Sequence, residues 1–267
     1  DFYLNFVTLK PKIARLFFLV LQQDYPNLEI LIIDNCSTDN SWEIIQSIND
    51  PRITAIRNDE NIGAEGNWNK CIELARGSLF VLLPSDDLLY NQSITKKAKV
   101  LTDDKEYKLA FCFSSRKIIN RFSKVITSVG FFKSGPVSGE EIIHKIFVKG
   151  TNVVGEPGTV LVRTEILRKS GGFTAKIPYV TDLDCWVRLL DYGQGYCIDE
   201  PLCAFRVSNV NWTSQLGNKR KLDFINFLKL IRQSGKYRIS GMLFSWGIFR
   251  TNLNEILRKL FYWFFRE

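Results

Sequence analysis

The stretch SLFVLLPSDDLL, residues 78–89, joins a short apolar run to two adjacent aspartates. A continuous apolar run of this length is typical of a strand that is buried on both faces of a sheet. Pro84 cannot donate to a sheet ladder, so it should end the strand and leave Asp86 and Asp87 in the following loop. In open α/β sheets, ligands bind at the carboxyl ends of the strands, which is where this loop would lie. The two acids could therefore cap a helix over roughly residues 92–101, or hold a divalent cation together with phosphates.

Strand and helix patterns alternate around this stretch. Apolar runs predict further strands, and apolar residues at helical spacing predict helices between them. The alternation indicates a parallel sheet with right-handed crossovers. The predicted strands are LEILII (28–33), RITAIRN (52–58), KLAFCFSS (108–115) and GTVLVRT (158–164), and the predicted helices cover residues 40–48, 61–76 and 181–192. Asn40 with Glu43 resembles a capping box, and Thr181 is expected to cap the last of these helices.

The basic charge of the chain is concentrated in its tail. The net charge is +8, and residues 219–267 contain 11 Lys+Arg but only 3 Asp+Glu. Basic and aromatic residues alternate in the closing segment EILRKLFYWFFRE. Such a segment could lie on an anionic membrane surface, or it could pack as an amphipathic helix on the main domain. We expect a main domain over residues 1–207 and a basic, aromatic helical extension over residues 208–267.

Several chemistries lack support in the sequence. His144 is the single histidine, and no zinc-ligand spacing surrounds it. The chain contains neither a G-x-S-x-G nucleophile turn nor the glycine-rich loops of dinucleotide-binding proteins and P-loop enzymes. It shows no apolar run of eighteen residues and no signal peptide. We therefore expect carboxylate chemistry, in the cytoplasm or at the inner face of the cell membrane, without a nucleic-acid partner.

Five segments occur in an order that resembles one enzyme family. They are QQDYPNLEILIIDNCSTDNSWEII (22–45), NDENIGAEGNWNKCIELARGSLFVLLPSDDLL (58–89), GGF (171–173), TDLDCWVRLL (181–190) and IDEPLCAFR (198–206). Together they resemble the inverting nucleotide-sugar glycosyltransferases of family 2, which have the GT-A fold. The resemblance implies an α/β fold with a Rossmann-like, mainly parallel sheet flanked by helices, followed here by a helical, basic C-terminal segment.

The resemblance also implies a donor site. Asp34 matches the acid that contacts the nucleotide base, and Asp86 matches an acid that holds the ribose. Asp86 and Asp87 match the pair that binds Mg²⁺ or Mn²⁺ on the donor diphosphate. Further donor contacts are implied for Asn61, Gly63 and Asn69. A divalent ion suits this position because the nucleoside diphosphate leaving group develops negative charge as the sugar bond breaks.

Asp182 matches the catalytic base of the family. A sugar hydroxyl is a poor nucleophile, so a carboxylate must take its proton as it attacks the anomeric carbon. Asp182 falls in the first turn of a predicted helix, where the helix N-terminus is expected to favour its ionised form. Supporting or acceptor-side roles are implied for Asp184, Trp186, Arg188 and Glu156; Asp184 is also an alternative for the reacting acid.

The implied function is transfer of a sugar, with inversion, from a UDP-linked donor to a glycan or lipid-linked acceptor in bacterial-type surface polysaccharide synthesis. The sequence departs from the family pattern at four places, and the irregular first 20 residues motivate a second hypothesis. Pro84 replaces the first acid of the metal motif, and Thr181 replaces the glutamate before the base. Residues 5–8 replace the family's first turn, and Ser208 replaces a histidine. The alternative is a catalytically impaired protein that binds glycan, nucleotide or membrane; a nucleotidyltransferase is less favoured because its glycine-rich loop is missing.

Overall fold

Two β-sheets form the centre of the fold. The computed structural model describes residues 19–207 and 219–264, with side chains up to residue 259. In these residues β1 (Ile30–Asp34) pairs with β2 (Ile53–Arg57), and seven further strands form a second sheet. They are β3 (Leu79–Phe80), β4 (Leu88–Leu89), β5 (Leu109–Ile119), β6 (Val125–Val129), β7 (Gly135–Val137), β8 (Val160–Arg163) and β9 (Gln194–Arg206). Their order in the sheet is β3-β8-β5-β9-β4, with β6 paired to β5 and β7 paired to β9.

The α/β architecture is confirmed, but the expectation of a mainly parallel sheet is wrong. The pairs β1/β2 and β5/β9 are parallel, whereas β8, β6, β7 and β4 each pair antiparallel with a neighbour. Parallel strands need a long crossover, and a short turn can join only antiparallel ones. β6 follows β5 after residues 120–124 alone. The alternation of strands and helices is already interrupted at β4, which follows β3 without a helix and runs antiparallel to β9.

The helices lie around these sheets. They are α1 (Ser41–Gln46), α2 (Gly63–Leu74), α3 (Ser93–Asp103), α4 (Gly139–Lys149), α5 (Thr164–Lys169), α6 (Thr181–Leu189), α7 (Lys219–Gln233) and α8 (Gly241–Phe264), with single 3₁₀ turns at Pro157–Thr159 and Pro178–Val180. Two predicted caps are wrong. Asn40 makes no side-chain cap, because Asp39 Oδ1 accepts from Ser41 N at 3.1 Å instead. Thr181 is already helical, and its hydroxyl donates to Pro178 O at 3.0 Å.

The large sheet is buried on both faces. Successive residues of a strand point to opposite faces, and along β5 the rings of Phe111 and Phe113 belong to one apolar cluster while Cys112 belongs to the other. The Phe111 ring lies 6.4 Å from the ring of Trp186 on α6. Because Trp186 is only 2% exposed, α6 is fixed on the sheet through its middle. Its first turn therefore has a defined position at the edge of the core.

The C-terminal helices pack on the same core. Phe224, Phe227 and Leu228 of α7 belong to the cluster that contains Phe111. α4 ends in a left-handed Gly150, where an added Cβ would lie 2.6 Å from the backbone nitrogen of Thr251 on α8. Of the two interpretations of the tail, packing on the main domain is thus the one that α7 and α8 follow. The division at residue 207 stays a prediction, since residues 208–218 lie outside the described ranges.

Candidate functional site

A cavity of about 720 Å³ opens between the carboxyl end of β3 and the C-terminal helices. Four acidic side chains line one side of it, namely Asp86, Asp87, Glu156 and Asp182. They come from three loops or helix ends that are far apart in sequence. The structure therefore brings together the predicted metal pair, the predicted base and one predicted supporting acid.

Asp86 and Asp87 lie in a tight turn that Arg206 holds in place. Asp87 N donates to Pro84 O at 3.1 Å, which closes the turn after the apolar run. Arg206, the last residue of β9, donates from its backbone to Asp87 Oδ1 at 3.1 Å and from Nε to Asp86 O at 2.9 Å. α3 begins only at Ser93, after β4. The helix-capping interpretation of the two acids is therefore wrong.

The environment of Asp87 suits a bound cation. Asp87 is 4% exposed, and burial raises the pKa of its carboxyl well above the ordinary 3.8, with the charge of Asp86 raising it further and Glu156 adding a smaller contribution. A divalent ion would offset this repulsion. No group of three or more His, Cys, Asp or Glu residues suited to a metal occurs in the described chain. Two carboxylates nevertheless fit Mg²⁺ or Mn²⁺, because such ions commonly take their other ligands from water and substrate phosphates.

Asp182 lies in the first turn of α6 with both carboxylate oxygens engaged. Leu183 N donates to Oδ1 at 2.7 Å, and Asn152 Nδ2 donates to Oδ2 at 3.0 Å. Burial first and the charge of Glu156 second raise the pKa of Asp182 to about 7, although the backbone hydrogen bonds and Arg116 act in the opposite direction. We expected the helix N-terminus to favour the ionised form of this acid, but the net shift of its pKa is upward, which favours the protonated form. Desolvation outweighs the backbone donors of the helix.

The segment between Asn152 and Glu156 carries much of the support for this acid. Asn152 Oδ1 accepts from Val154 N at 3.1 Å and from Gly155 N at 2.9 Å, so the amide that contacts Asp182 is itself fixed. Trp186 Nε1 donates to Gly155 O at 3.0 Å. Glu156 pairs with Arg116 Nε at 2.6 Å. Trp186 is thus a buried support of the cavity wall.

Asp184 and Arg188 stabilise the neighbouring helix end. Arg188 Nε contacts Asp184 Oδ2 at 2.8 Å, and its Nη2 donates to Gly172 O at 2.6 Å. Another Arg188 nitrogen donates to Ser170 O at the end of α5. Neither side chain lines the cavity. In this arrangement Asp184 is an ion-pair partner, two residues from the acid that faces the cavity.

The predicted donor residues outside the acidic pair have local partners. Asp34 is 1% exposed, pairs with Arg57 Nε at 3.3 Å and accepts from Ser37. Asn61 Oδ1 accepts from Asn35 Nδ2 at 2.8 Å and from Gly63 N at 2.9 Å. The Asn69 amide donates to Phe173 O at 2.8 Å and accepts from Phe173 N at 2.9 Å. None of Asp34, Asn61, Gly63 and Asn69 lines the cavity. The replaced turn at residues 5–8 and Ser208 lie outside the described residues.

Sequence reasoning missed three residues that organise the site: Arg116, Asn152 and Arg206. Arg116 and Arg206 are each a buried charge within a mostly apolar strand. A charged residue is rarely buried unless it is paired. An arginine within an apolar strand pattern therefore indicates a buried partner, and this pattern could have identified both residues. Asn152 lies in a loop, where no pattern distinguishes it from an ordinary turn residue.

Residues 6–169 match the family model described as glycosyl transferase family 2. The chain belongs to this family. WfaP of Escherichia coli, named as a UDP-Glc:alpha-D-GlcNAc-diphosphoundecaprenol beta-1,3-glucosyltransferase, is 33% identical over 83% of this chain and 78% of its own length. WcaA of Escherichia coli K12, named for colanic acid biosynthesis, is 49% identical over 82% of this chain and 78% of its own.

Solved structures confirm that this family 2 glycosyltransferase has the GT-A fold. A mannosyltransferase from Pyrobaculum calidifontis, solved with GDP-Man and Mn²⁺, superposes with a TM-score of 0.65 at 16% identity, over 94% of this chain and 73% of its own. TarS (residues 1–349) of S. aureus, solved with UDP-GlcNAc, superposes with a TM-score of 0.66 at 18% identity, over 86% of this chain and 65% of its own. At these identities the likeness concerns the fold alone.

Proposed function

We propose that this family 2 glycosyltransferase moves a sugar from a UDP-linked donor to a hydroxyl of a lipid-linked glycan, with a divalent cation and with inversion. The observation that carries the proposal is that Asp182, with a pKa of about 7, faces the same cavity as Asp86 and Asp87. A general base and a cation-binding pair of carboxylates that line the same cavity are the two parts that this reaction needs.

Asp182 acts as the general base. A base is most effective when its pKa is close to the operating pH, and about 7 meets that condition. Asn152 and the backbone of Leu183 hold the two oxygens, so the carboxylate points in a fixed direction when the acceptor hydroxyl arrives. As the hydroxyl oxygen attacks the anomeric carbon, its proton passes to Asp182 and the bond to the diphosphate breaks on the opposite face.

Asp86 and Asp87 would hold Mg²⁺ or Mn²⁺ on the donor diphosphate. When bound, the ion supplies positive charge that offsets the charge developing on the leaving group. Arg206 donates from its backbone N to the Asp87 carboxylate and from its side-chain Nε to the Asp86 backbone carbonyl, so the turn that carries both acids needs little reorganisation on binding. The ion bound by the Pyrobaculum mannosyltransferase gives this proposal further support.

The acceptor and its location follow from the relatives and from α8. The name of WfaP specifies UDP-glucose as donor and GlcNAc-diphosphoundecaprenol as acceptor, and that of WcaA specifies colanic acid biosynthesis. Within the described residues no helix has the length and apolar character needed to cross a membrane. The large side chains of Met242, Trp246, Phe249 and Ile256 are nevertheless exposed on α8. A peripheral contact with the inner face of the membrane would cover them and bring the acceptor to the cavity.

A donor screen followed by a transfer assay tests the proposal. UDP-glucose, UDP-N-acetylglucosamine and GDP-mannose are compared by thermal shift with Mn²⁺ and with EDTA. A ligand at about 100 times its Kd adds roughly 2.7 kcal/mol to stability. The best donor is then offered with a synthetic alkyl-diphosphate-linked N-acetylglucosamine. Metal-dependent transfer is expected; donor binding without hydrolysis or transfer would instead identify a binding protein.

A further inference from the structure

Four cationic side chains on helices line the same cavity and come from other elements than the four acids; we call them the basic wall. They are Lys149 at the end of α4, Arg220 of α7, and Arg250 and Arg258 of α8. The close packing at Gly150 and Thr251 holds α4 against α8, and the ion pair of Arg220 with Glu255 links α7 to α8. The four acids and the basic wall thus come from different elements that line one cavity.

The positive charge on this wall exceeds the negative charge that faces it. Glu255 accepts from both Arg220 and Arg258, at 2.9 and 3.1 Å. Lys149 and Arg250 are both half-buried, and neither side chain forms an ion pair with any residue that the structure describes. A partly desolvated cation without a counter-ion is unfavourable. An anionic ligand would remove that penalty, and guanidinium groups bind phosphate oxygens in a bidentate manner.

Tyr179 lies near both the basic wall and the base: its ring centroid is 5.6 Å from Arg258 Cζ, and it precedes Asp182 by three residues. Tyr179 lines the cavity, and burial raises the pKa of its hydroxyl, while Arg258 and Arg220 lower it and Asp182 raises it. Tyr179 therefore interacts electrostatically with both the basic wall and Asp182. A sugar whose hydroxyl reaches Asp182 can extend its anomeric substituent towards the arginines.

An apolar surface continues from the basic wall. Leu257 lines the cavity and is 50% exposed. Further along α8 the side chains of Trp246 and Phe249 are also exposed. Residues 246, 249 and 257 lie near one side of the helix, at spacings of three and eight residues. A ligand with a phosphate group attached to a hydrocarbon chain would place the phosphates on the basic wall and the chain on this surface.

We infer that Lys149, Arg250 and Arg258 form a subsite for the diphosphate group of a lipid-linked sugar acceptor. This assignment rests on the proposed function for the identity of the acceptor. The subsite binds its diphosphate directly through cationic side chains, whereas the donor diphosphate is expected at Asp86 and Asp87 through a divalent ion. Binding of the acceptor diphosphate should therefore be independent of metal, whereas binding of the donor diphosphate should require it.

The experiment measures binding of geranyl diphosphate to the full chain by calorimetry in EDTA, with geraniol as the uncharged control. The variants are Arg250→Gln, Lys149→Gln and Arg250→Lys, and the matched control is Lys229→Gln, which removes one charge from an exposed position on α7. UDP-glucose binding with Mn²⁺ is measured on the same preparations and tests the proposed function separately.

We expect metal-independent binding of geranyl diphosphate that is weakened about 10-fold or more by either glutamine variant, the scale of a lost charged hydrogen bond. Arg250→Lys should retain part of the affinity and Lys229→Gln all of it. Geraniol binding as tight as that of geranyl diphosphate would overturn the inference, as would unchanged affinity in both glutamine variants. Loss of UDP-glucose binding in Arg250→Gln, with displacement of geranyl diphosphate by UDP, would assign the wall to the donor instead. Failure of UDP-glucose to bind the unmodified chain would contradict only the proposed function.

Discussion

Replacement of Asp182 by asparagine should inactivate the enzyme and stabilise it at the same time. The amide keeps the size of the side chain but cannot take a proton. Transfer should therefore fall by about 10² or more, the scale of general-base catalysis. The gain in stability follows from the raised pKa of Asp182, because a buried carboxyl that must ionise destabilises the folded state.

The magnitude can be worked from that pKa. The difference between about 7 and the ordinary 3.8 corresponds to about 4 kcal/mol, at about 1.4 kcal/mol for each pH unit. We halve it to about 2 kcal/mol because the side chain keeps contact with solvent in the cavity. Asparagine also loses one of the two hydrogen bonds, from Asn152 or from Leu183, at about 1 kcal/mol. The net gain above pH 7 is about 1 kcal/mol, or about 2–4 °C in Tm.

The sign of the pH dependence follows from linkage. Between about pH 4 and pH 7 the unfolded chain releases the proton of Asp182 while the folded chain keeps it, so the native enzyme loses stability as pH rises through this range. The variant lacks this loss. The difference in Tm between variant and native enzyme should therefore grow from pH 5 to pH 8, and the transfer rate of the native enzyme should rise through an apparent pKa near 7.

Thermal unfolding and initial rates at a series of pH values provide the assay. Asp184→Asn is the matched control, since this acid lies on the same helix but pairs with Arg188 outside the cavity; its transfer should stay within a few-fold of native. A difference in Tm that does not change with pH, or near-normal transfer by Asp182→Asn beside an inactive Asp184→Asn, would refute the assignment of Asp182 as the base.

Three other changes test separate parts of the structure. Asp86→Asn and Asp87→Asn should each abolish Mn²⁺-dependent donor binding, measured by calorimetry, because the amide loses the charge that faces the cation; full affinity in both would exclude the metal role. The double change Trp246→Ser and Phe249→Ser should weaken co-sedimentation with anionic vesicles at low salt, where electrostatic attraction is strongest, and leave transfer to a water-soluble acceptor intact; equal vesicle binding would contradict the membrane contact. Gly150→Ala should lower unfolding stability by about 1–3 kcal/mol, since φ is +61° and the new Cβ would lie 2.6 Å from Thr251 N; an unchanged Tm would show that α4 and α8 can separate locally.

Local pattern predicted the elements of the site better than its contacts. The apolar run before Pro84 located the turn with Asp86 and Asp87, and the helical spacing of residues 181–192 located Asp182 in a first turn, as the structure has them. These features depend on neighbouring residues alone. The pairs that organise the cavity, such as Arg116 with Glu156 and Asn152 with Asp182, are separated by 40 and 30 positions. Single-sequence periodicity carries no information about such partners.

The wrong expectation for the charge of Asp182 has the same origin. A helix N-terminus favours a carboxylate by a modest amount when the site is exposed. Whether the carboxylate is exposed depends on what packs over it, and here Asn152 of a distant loop contacts it. The sequence shows where the helix begins but not how deeply the carboxyl is buried. It therefore predicts the effect of the helix N-terminus but not the larger, opposite effect of desolvation on the pKa. The choice between helix capping and cation binding for Asp86 and Asp87 likewise depended on whether the two acids adjoin the first turn of α3, and the sequence did not show that β4 intervenes.

The C-terminal segment shows why the distribution of charge in a sequence is ambiguous about function. Its basic excess suggested a surface that attracts anions from outside. Two of those charges, Arg220 and Arg258, instead turn inward to Glu255, and with Arg250 they form a wall of the cavity that contains Asp182. Because α7 also contributes Phe224, Phe227 and Leu228 to the core, removal of the segment would expose that core as well as one wall of the site. Loss of transfer after such a truncation would therefore say nothing about membranes, and substitutions confined to the exposed side of α8 are the informative ones.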